Sequence, residues 1–384
     1  MTIEHTTRAG RYEVQIGGYR AFLPTPLPPD PPLTISKQLW STLSDADQAV
    51  GRLDASAAML PNPDLFIGMY VRKEAVLSSQ IEGTQASLDD ILEYEVARTS
   101  GDLELDIGEV FNYVRALNLG LEQLDSLPLS NRLLRNIHRE LLSGVRGADR
   151  SPGEFRRSQN WIGPSALSLA DAVHVSPPPH ELQSIMGRLE QYMNAPSQFP
   201  AIINAGLIHA QFETIHPFLD GNGRMGRLLI TFYLCAQGVL ERPLLYLSAY
   251  FKRYREEYYS RLQSVRANGD WEGWLQFFTT AVLEVAREAA TTARDIIDLR
   301  EQHRQLIQDR MGNLMVGLQL LDLFYEETHL TVRIASDRLN VSYPTANGLM
   351  TGLEELGITE ETTGQARYRV YRYSDYLELL RREV

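Results

Sequence analysis

Residues 216–227 read His-Pro-Phe-Leu-Asp-Gly-Asn-Gly-Arg-Met-Gly-Arg, and no other run constrains the fold of this chain as tightly. Pro217 and the turn behind it take His216 off any preceding helix, because proline lacks an amide donor and restricts its neighbour. Gly221-Asn222-Gly223 permits a tight turn whose N–H groups point at a ligand. A helical pattern follows through Arg224, Leu228, Leu229, Phe232 and Tyr233 and ends near Gly238. The loop is thus predicted to sit at a helix N-terminus, where dipole and free amides favour anions. Arg224 and Arg227 are three apart and lean to one face of that first turn. Cations are unfavourable at this end of a helix unless an anion is bound there.

The residue types point to one chemistry. His216 can accept a proton near neutral pH, which suits a general base. Asp220 is a hard oxygen donor, as Mg²⁺ requires when it is shared with phosphates. In sum, the run can hold a polyphosphate and attack it with a hydroxyl. A competing set overlaps it: His209, Glu213 and His216 at i, i+4, i+7 could be zinc ligands. Their spacing is not H-E-x-x-H, however, and nothing supplies the rest of a zinc-hydrolase pattern.

Upstream, residues 78–83 read Ser-Ser-Gln-Ile-Glu-Gly. A helix is predicted from about Leu65 to Glu82, with Leu65, Met69, Ala75 or Val76, and Ser79 on one face. Gly83 suits the left-handed position just past its end. Ser87 with Asp90 resembles a capping box for a further helix. Glu82 then sits at the carbonyl end of a helix, a poor place for a carboxylate unless a guanidinium partners it.

The run at 216–227 resembles the Fic family motif, H-P-F-x-D-G-N-G-R-x-x-R, and is complete. The resemblance implies a mostly α fold: a Fic-type helical bundle with a β-hairpin flap. It implies transfer of AMP from ATP to a Ser, Thr or Tyr hydroxyl of a protein target or of the chain itself. By that resemblance His216 deprotonates the hydroxyl and Asp220 holds Mg²⁺. The Gly221–Gly223 amides and Asn222 cradle the phosphates, with Gly226 in the same binding run. Arg224 contacts the transferred side of the polyphosphate and Arg227 the γ-phosphate. His209 and Glu213 become scaffold. Ser78-x-x-x-Glu82-Gly83 resembles the family's inhibitory motif, which implies that Glu82 pairs with Arg227 and denies it to the nucleotide. In some relatives the same glutamate positions water to remove AMP, so the reverse reaction stays an alternative.

Residues 152–163 and 174–179 are short, aromatic and bounded by Gly and Pro, which suggests a hairpin. This resembles the family's flap, whose strand edge would align an incoming peptide. Asn160, Trp161, Ile162 and Gly163 would lie nearest the nucleotide. Aromatics over 246–278 at three- and four-residue spacings read as core. By resemblance to the family's following helix pair, Tyr258 would border the adenine.

Whole-chain properties set limits. A length of 384 residues predicts two or three domains. These are an N-terminal segment over 1–105, a catalytic core over 106–300 and a separate unit over 311–384. Pro24 to Pro32 reads as an extended stretch lying on the body. No apolar run reaches the roughly 18 residues of a membrane span. The N-terminus lacks the shape of a signal peptide, and the single Cys235 fits a reducing cytoplasm. The net charge of −12 argues against whole-surface binding to nucleic acid.

A charged helix near 283–310 looks like a connector to the last unit. Residues 311–384 then resemble a winged helix-turn-helix: a helix through Leu318, Leu321 and Phe324, a short strand, a helix to Leu339, a third from Ser342 to Leu356, and two strands around Thr363-Gly364. The third helix holds no Lys or Arg, and only Arg367, Arg369 and Arg372 charge the wing. Phosphate contacts need cations, so dimerisation or target docking is favoured over DNA binding. A DNA-binding regulator whose body senses nucleotide is the remaining alternative.

Overall fold

The computed structural model describes residues 3–382 apart from 61, 98–104, 164–168, 170, 171, 197, 313, 366 and 367. Strands β1 (Ile3–Thr7), β2 (Gly10–Val14) and β3 (Arg20–Pro24) form an antiparallel meander. Helices α1 (Lys37–Ala58), α2 (Pro63–Ile81), α3 (Leu88–Ala97), α4 (Leu105–Leu124) and α5 (Asn131–Leu141) follow. A small hairpin pairs β4 (Trp161–Ile162) with β5 (His174–Val175). Then come α6 (Pro179–Asn194), α7 (Ala201–Ile215), α8 (Asn222–Ala236), α9 (Ser248–Arg253), α10 (Arg255–Asn268) and α11 (Trp271–Arg310). The chain is mostly helical, as the patterning predicts.

Helix α7 is the centre of the body. Every residue from Ile202 to Ile215 is buried, so its apolar side chains pack on all sides and its polar ones, Asn204, His209, Gln211, Glu213 and Thr214, are enclosed with them. Gly206 lets α11 approach: a Cβ there would meet Leu275 and Phe278 at 3.0 Å. The Trp274 indole donates to the Gly206 carbonyl at 2.8 Å. Segment 25–36 lies on this core, with Gln211 Nε2 donating to the Thr25 carbonyl at 2.8 Å.

Helix α2 starts one turn's fraction earlier than its apolar pattern suggests. Asn62 caps it through Leu65 N at 3.1 Å, with Pro63 in the first turn. It is buried on several sides, including at Lys73, Glu74, Ser78 and Ser79, rather than along a single stripe.

The charged connector predicted near 283–310 belongs to one helix of 40 residues, α11. Asp270 caps it, accepting from Gly273 N at 3.0 Å, and no Gly or Pro occurs from 274 to 310. Its first half is core against α1; its second half carries Ile296, His303 and Ile307 toward the C-terminal unit.

That unit comprises α12 (Leu314–Phe324), β6 (His329–Thr331), α13 (Val332–Leu339), α14 (Tyr343–Glu355), β7 (Glu360–Glu361), β8 (Val370–Arg372) and α15 (Ser374–Arg381). Its sheet has the order β6-β8-β7. Ser342 caps α14 through Thr345 N at 3.3 Å, with Pro344 in the first turn. Arg367 lies outside the described residues. Helix α15, which the sequence pattern did not single out, packs on α11 and back onto α2. Lys73 Nζ donates to the Arg382 carbonyl, and Arg381 pairs with Asp89 at 2.7 Å.

Candidate functional site

The turn between α7 and α8 forms the floor of the site. His216 closes α7 in the left-handed conformation, φ 50° and ψ 63°, with its amide bonded to Phe212 O at 2.9 Å. Gly221, φ 73°, begins α8, a conformation that costs glycine little. The turn is braced from three directions. Asn222 Oδ1 accepts from Phe218 N at 2.8 Å, and its Nδ2 donates to Phe218 O at 2.9 Å. Arg156 Nε donates to His216 O at 2.9 Å, and Asn160 Nδ2 to Phe218 O at 2.9 Å. His138 stacks on Phe218 with ring centroids 3.7 Å apart.

The bonds to His138 define its state. Gly153 N donates to Nδ1 at 2.8 Å, so Nε2 carries the proton and donates to Asp220 O at 2.9 Å. Burial pushes its pKa down to about 4, consistent with a neutral ring.

His216 is the loop's histidine. Its side chain keeps about one-fifth of its surface exposed, and its Nδ1 lies 3.9 Å from Glu213 Oε2. Burial first, then the neighbouring Arg156 guanidinium, pushes its pKa down to about 4. Asp220 is partly exposed beside it. Asp220 Oδ1 accepts from Gly221 N at 2.6 Å, and Gly147 passes so close that a Cβ there would meet Oδ2 at 2.9 Å.

Arg227 is buried and held by the end of α2. Its Nε donates to Ser78 Oγ at 2.8 Å and its Nη2 to Ser78 O at 2.9 Å and Glu82 Oε1 at 2.8 Å. Burial raises the Glu82 pKa, but the Arg227 charge and hydrogen bond outweigh it and hold the carboxylate below its ordinary range. A Cβ on Gly223 would fall 2.1 Å from Glu82 Oε1. The carboxylate therefore lies against the first turn of α8, whose amides lack intrahelical acceptors. Gly83, φ 100°, turns the chain away, and Arg255 Nη2 donates to Ile81 O at 3.1 Å at the carbonyl end of α2.

Sequence reasoning brought together His216, Asp220, Gly221, Gly223, Arg224, Arg227, Ser78 and Glu82, and these meet in one place. Three other residues sit differently. The Asn222 amide is committed to the loop backbone, so its side chain braces the turn. Gly226 faces α7: a Cβ would meet Glu213 Oε1 at 2.4 Å, and its carbonyl bonds to His209 Nδ1 at 2.9 Å. Tyr258 is 1% exposed, stacked on Phe251, with its hydroxyl on His209 Nε2 at 2.9 Å. The partly open rings of this stretch are Tyr254 and Tyr259. With both nitrogens engaged, His209 is a scaffold residue.

On the flap, Trp161 is exposed by 38%, Ile162 pairs with His174 across the hairpin, and Gly163 follows β4. Each of its strands is only two residues long.

The residues that sequence reasoning missed are buried and polar. Glu109 on α4 contacts Arg224 Nη1 at 3.2 Å, Arg146 Nε at 3.0 Å and Thr84 Oγ1 at 2.7 Å. Glu74 on α2 accepts from Tyr113 OH at 3.0 Å and from the amide and hydroxyl of Ser248. Burial pushes Glu74 up to about 7, and Glu213 likewise up to about 7. The only available signal was a charged residue inside an apolar helical stripe.

In this arrangement a carboxylate of the same chain, Glu82, lies between Arg227 and the first turn of α8. Residues 40–122 match the family model described as Fic/DOC family N-terminal, and residues 128–234 match that described as Fic/DOC family. The chain is therefore a Fic-domain protein with the Fic N-terminal region ahead of the domain.

It is 34% identical to the protein adenylyltransferase Fic of Culex quinquefasciatus over 146 residues, 38% of this chain and 26% of that protein. It is 30% identical to that of Drosophila virilis over 212 residues, 54% and 38% of the two chains. The chain thus spans between a quarter and two-fifths of the length of these relatives. In fold it resembles a Fic family protein from Desulfovibrio desulfuricans G20, with TM-score 0.59, 21% identity and coverage of 89% and 97%.

Proposed function

We propose that the chain transfers AMP from ATP to a Ser, Thr or Tyr hydroxyl of a protein, and that Glu82 restrains this activity. One observation carries the reading: Glu82 holds Arg227 at 2.8 Å while lying against Gly223 at the start of α8. A carboxylate there stands where a phosphate would find helix amides and a guanidinium.

In the proposed step His216 takes the hydroxyl proton. The hydroxyl oxygen forms a bond to the α-phosphorus, and the bond from that phosphorus to the β-bridging oxygen breaks. Pyrophosphate leaves and AMP stays on the target. Arg224, Arg227 and the first-turn amides of α8 would stabilise charge on the phosphate oxygens, the main task in such a transfer. Asp220 fits Mg²⁺: it is a partly exposed carboxylate beside the phosphate amides, and Mg²⁺ takes one or two carboxylates plus phosphate oxygens. The ion would supply neutralising charge to the polyphosphate.

The C-terminal unit reads as a docking or dimerisation module. Helix α14 bears no Lys or Arg, Arg369 is bound to Asn347 and Arg372 to Glu360. Salt-dependent binding of the full chain to duplex DNA would overturn that assignment. Among the described residues no helix is long and apolar enough to cross a membrane; the cytoplasm is the proposed setting.

The test is intact-mass comparison of wild type and Glu82→Gly after incubation with Mg²⁺ and each of ATP, GTP, CTP and UTP. The expected result is a gain of AMP with ATP, faster in Glu82→Gly. No gain in either protein sinks the transfer reading, and loss of AMP already present would assign the reverse reaction.

A further inference from the structure

Two arginines of the motif are held in different ways. Arg227 depends on Ser78 and Glu82, at the end of a helix that must yield before a nucleotide can use it. Arg224 depends on Glu109, which belongs to α4 and to neither the motif nor the inhibitory segment.

The surroundings of Glu109 are built for this. Its carboxylate is fully buried, and the Arg224 side chain is 2% exposed. Arg146, half exposed, reaches the same carboxylate through Nε at 3.0 Å and Nη2 at 3.2 Å. Two guanidiniums thus share one carboxylate. Arg224 Nε is also buried with no hydrogen-bond partner. A buried donor in that state costs free energy until an acceptor arrives. The loop carrying Arg146 continues into Gly147, which touches Asp220, so Arg146 belongs to the loop that borders the proposed phosphate site. Thr84 Oγ1, two residues beyond Glu82, donates to Glu109 Oε2 at 2.7 Å. The inhibitory segment is therefore moored to the carboxylate that orients Arg224.

We infer that Glu109 is a positioning residue for adenylyl transfer: it fixes Arg224 toward the phosphate being transferred. This rests on the transfer reading above. With Glu109 in place, Arg224 is oriented independently of Glu82, so release of the α2 end frees Arg227 and breaks the Thr84 bond while Glu109 keeps its contact with Arg224.

The experiment uses the full chain in the Glu82→Gly background and follows self-modification with α-labelled ATP at varied concentration. Glu109→Gln is expected to lower the maximal rate at least tenfold and to change the half-saturating ATP concentration less than threefold. Arg224→Ala should fall at least as far, and the double variant no further than Arg224→Ala. Multiplied losses in the double variant, or an unchanged maximal rate in Glu109→Gln, overturn the proposal. If Glu109→Gln does not fold, Glu109→Asp takes its place, since it keeps the charge and shortens its reach. A reduced maximal rate at unchanged melting temperature supports the inference, and an unchanged rate refutes it. A crystal structure of the tested Glu109 variant separates this from failure of the transfer reading. Arg224 keeping its place without the full-length carboxylate would refute the positioning role even if the parent transferred nothing.

Discussion

Burial pushes His216 down to about 4, so its imidazole is neutral across the physiological range. A base in that state gives a maximal rate that is flat between about pH 6 and 8 and falls only as pH approaches the folded value. An inflection near the ordinary histidine value would show a solvated ring instead. His216→Ala in the Glu82→Gly background should reduce labelled-AMP incorporation by roughly 10²–10⁴-fold, as for a lost general base; full incorporation would remove His216 from the mechanism. Glu74 behaves oppositely in stability. Its folded pKa is raised from 4.5 to about 7, so the folded chain keeps a proton that the unfolded chain releases. Its contribution is present below the unfolded value and is lost as pH rises through the folded one, by up to a few kcal/mol. Glu74→Gln should flatten the melting temperature between about pH 4.5 and 7, and an unaltered slope would show that another group sets it.

At the scale of elements, what the sequence made legible was local. His216 to Arg227 is contiguous, and Ser78, Glu82 and Gly83 share one helix end, so a loop and two helix termini could be read directly. Cap chemistry located α14 from Ser342 and Pro344. The partnerships that complete the site were not legible, because they join distant positions: Glu109 with Arg224, 115 residues apart, and His138 with Asp220, 82 apart. Glycine roles divide the same way. Gly221 was readable from its turn, whereas Gly226 serves the contact between α7 and α8, which only packing reveals. Gly226→Ala should therefore destabilise the chain by about 1–3 kcal/mol through overpacking, read as a lower denaturant midpoint. Equal stability would mean that Glu213 can swing aside. Tyr258, placed at the adenine by the resemblance alone, is buried with its hydroxyl on His209, a partnership across 49 residues that local sequence does not show.

At the scale of the molecule, the proposed boundary between 300 and 311 falls within and just beyond an unbroken helix. Helix α15 returns from the C-terminal unit to α2, with Arg381 on Asp89 and the Arg382 carbonyl on Lys73. Apolar burial continues along α11 through Ile296 and Ile307. These links predict one cooperative calorimetric transition for the full chain; a separately melting C-terminal unit would show that they contribute little. A helix of 40 residues is about 60 Å long, and it allows no swivel between its two ends. A protein seized by the far unit would be presented to the pocket like a workpiece in a jig, at a set reach and angle. Which hydroxyl receives the nucleotide would then be chosen by where the captured partner is gripped, more than by the residues flanking that hydroxyl.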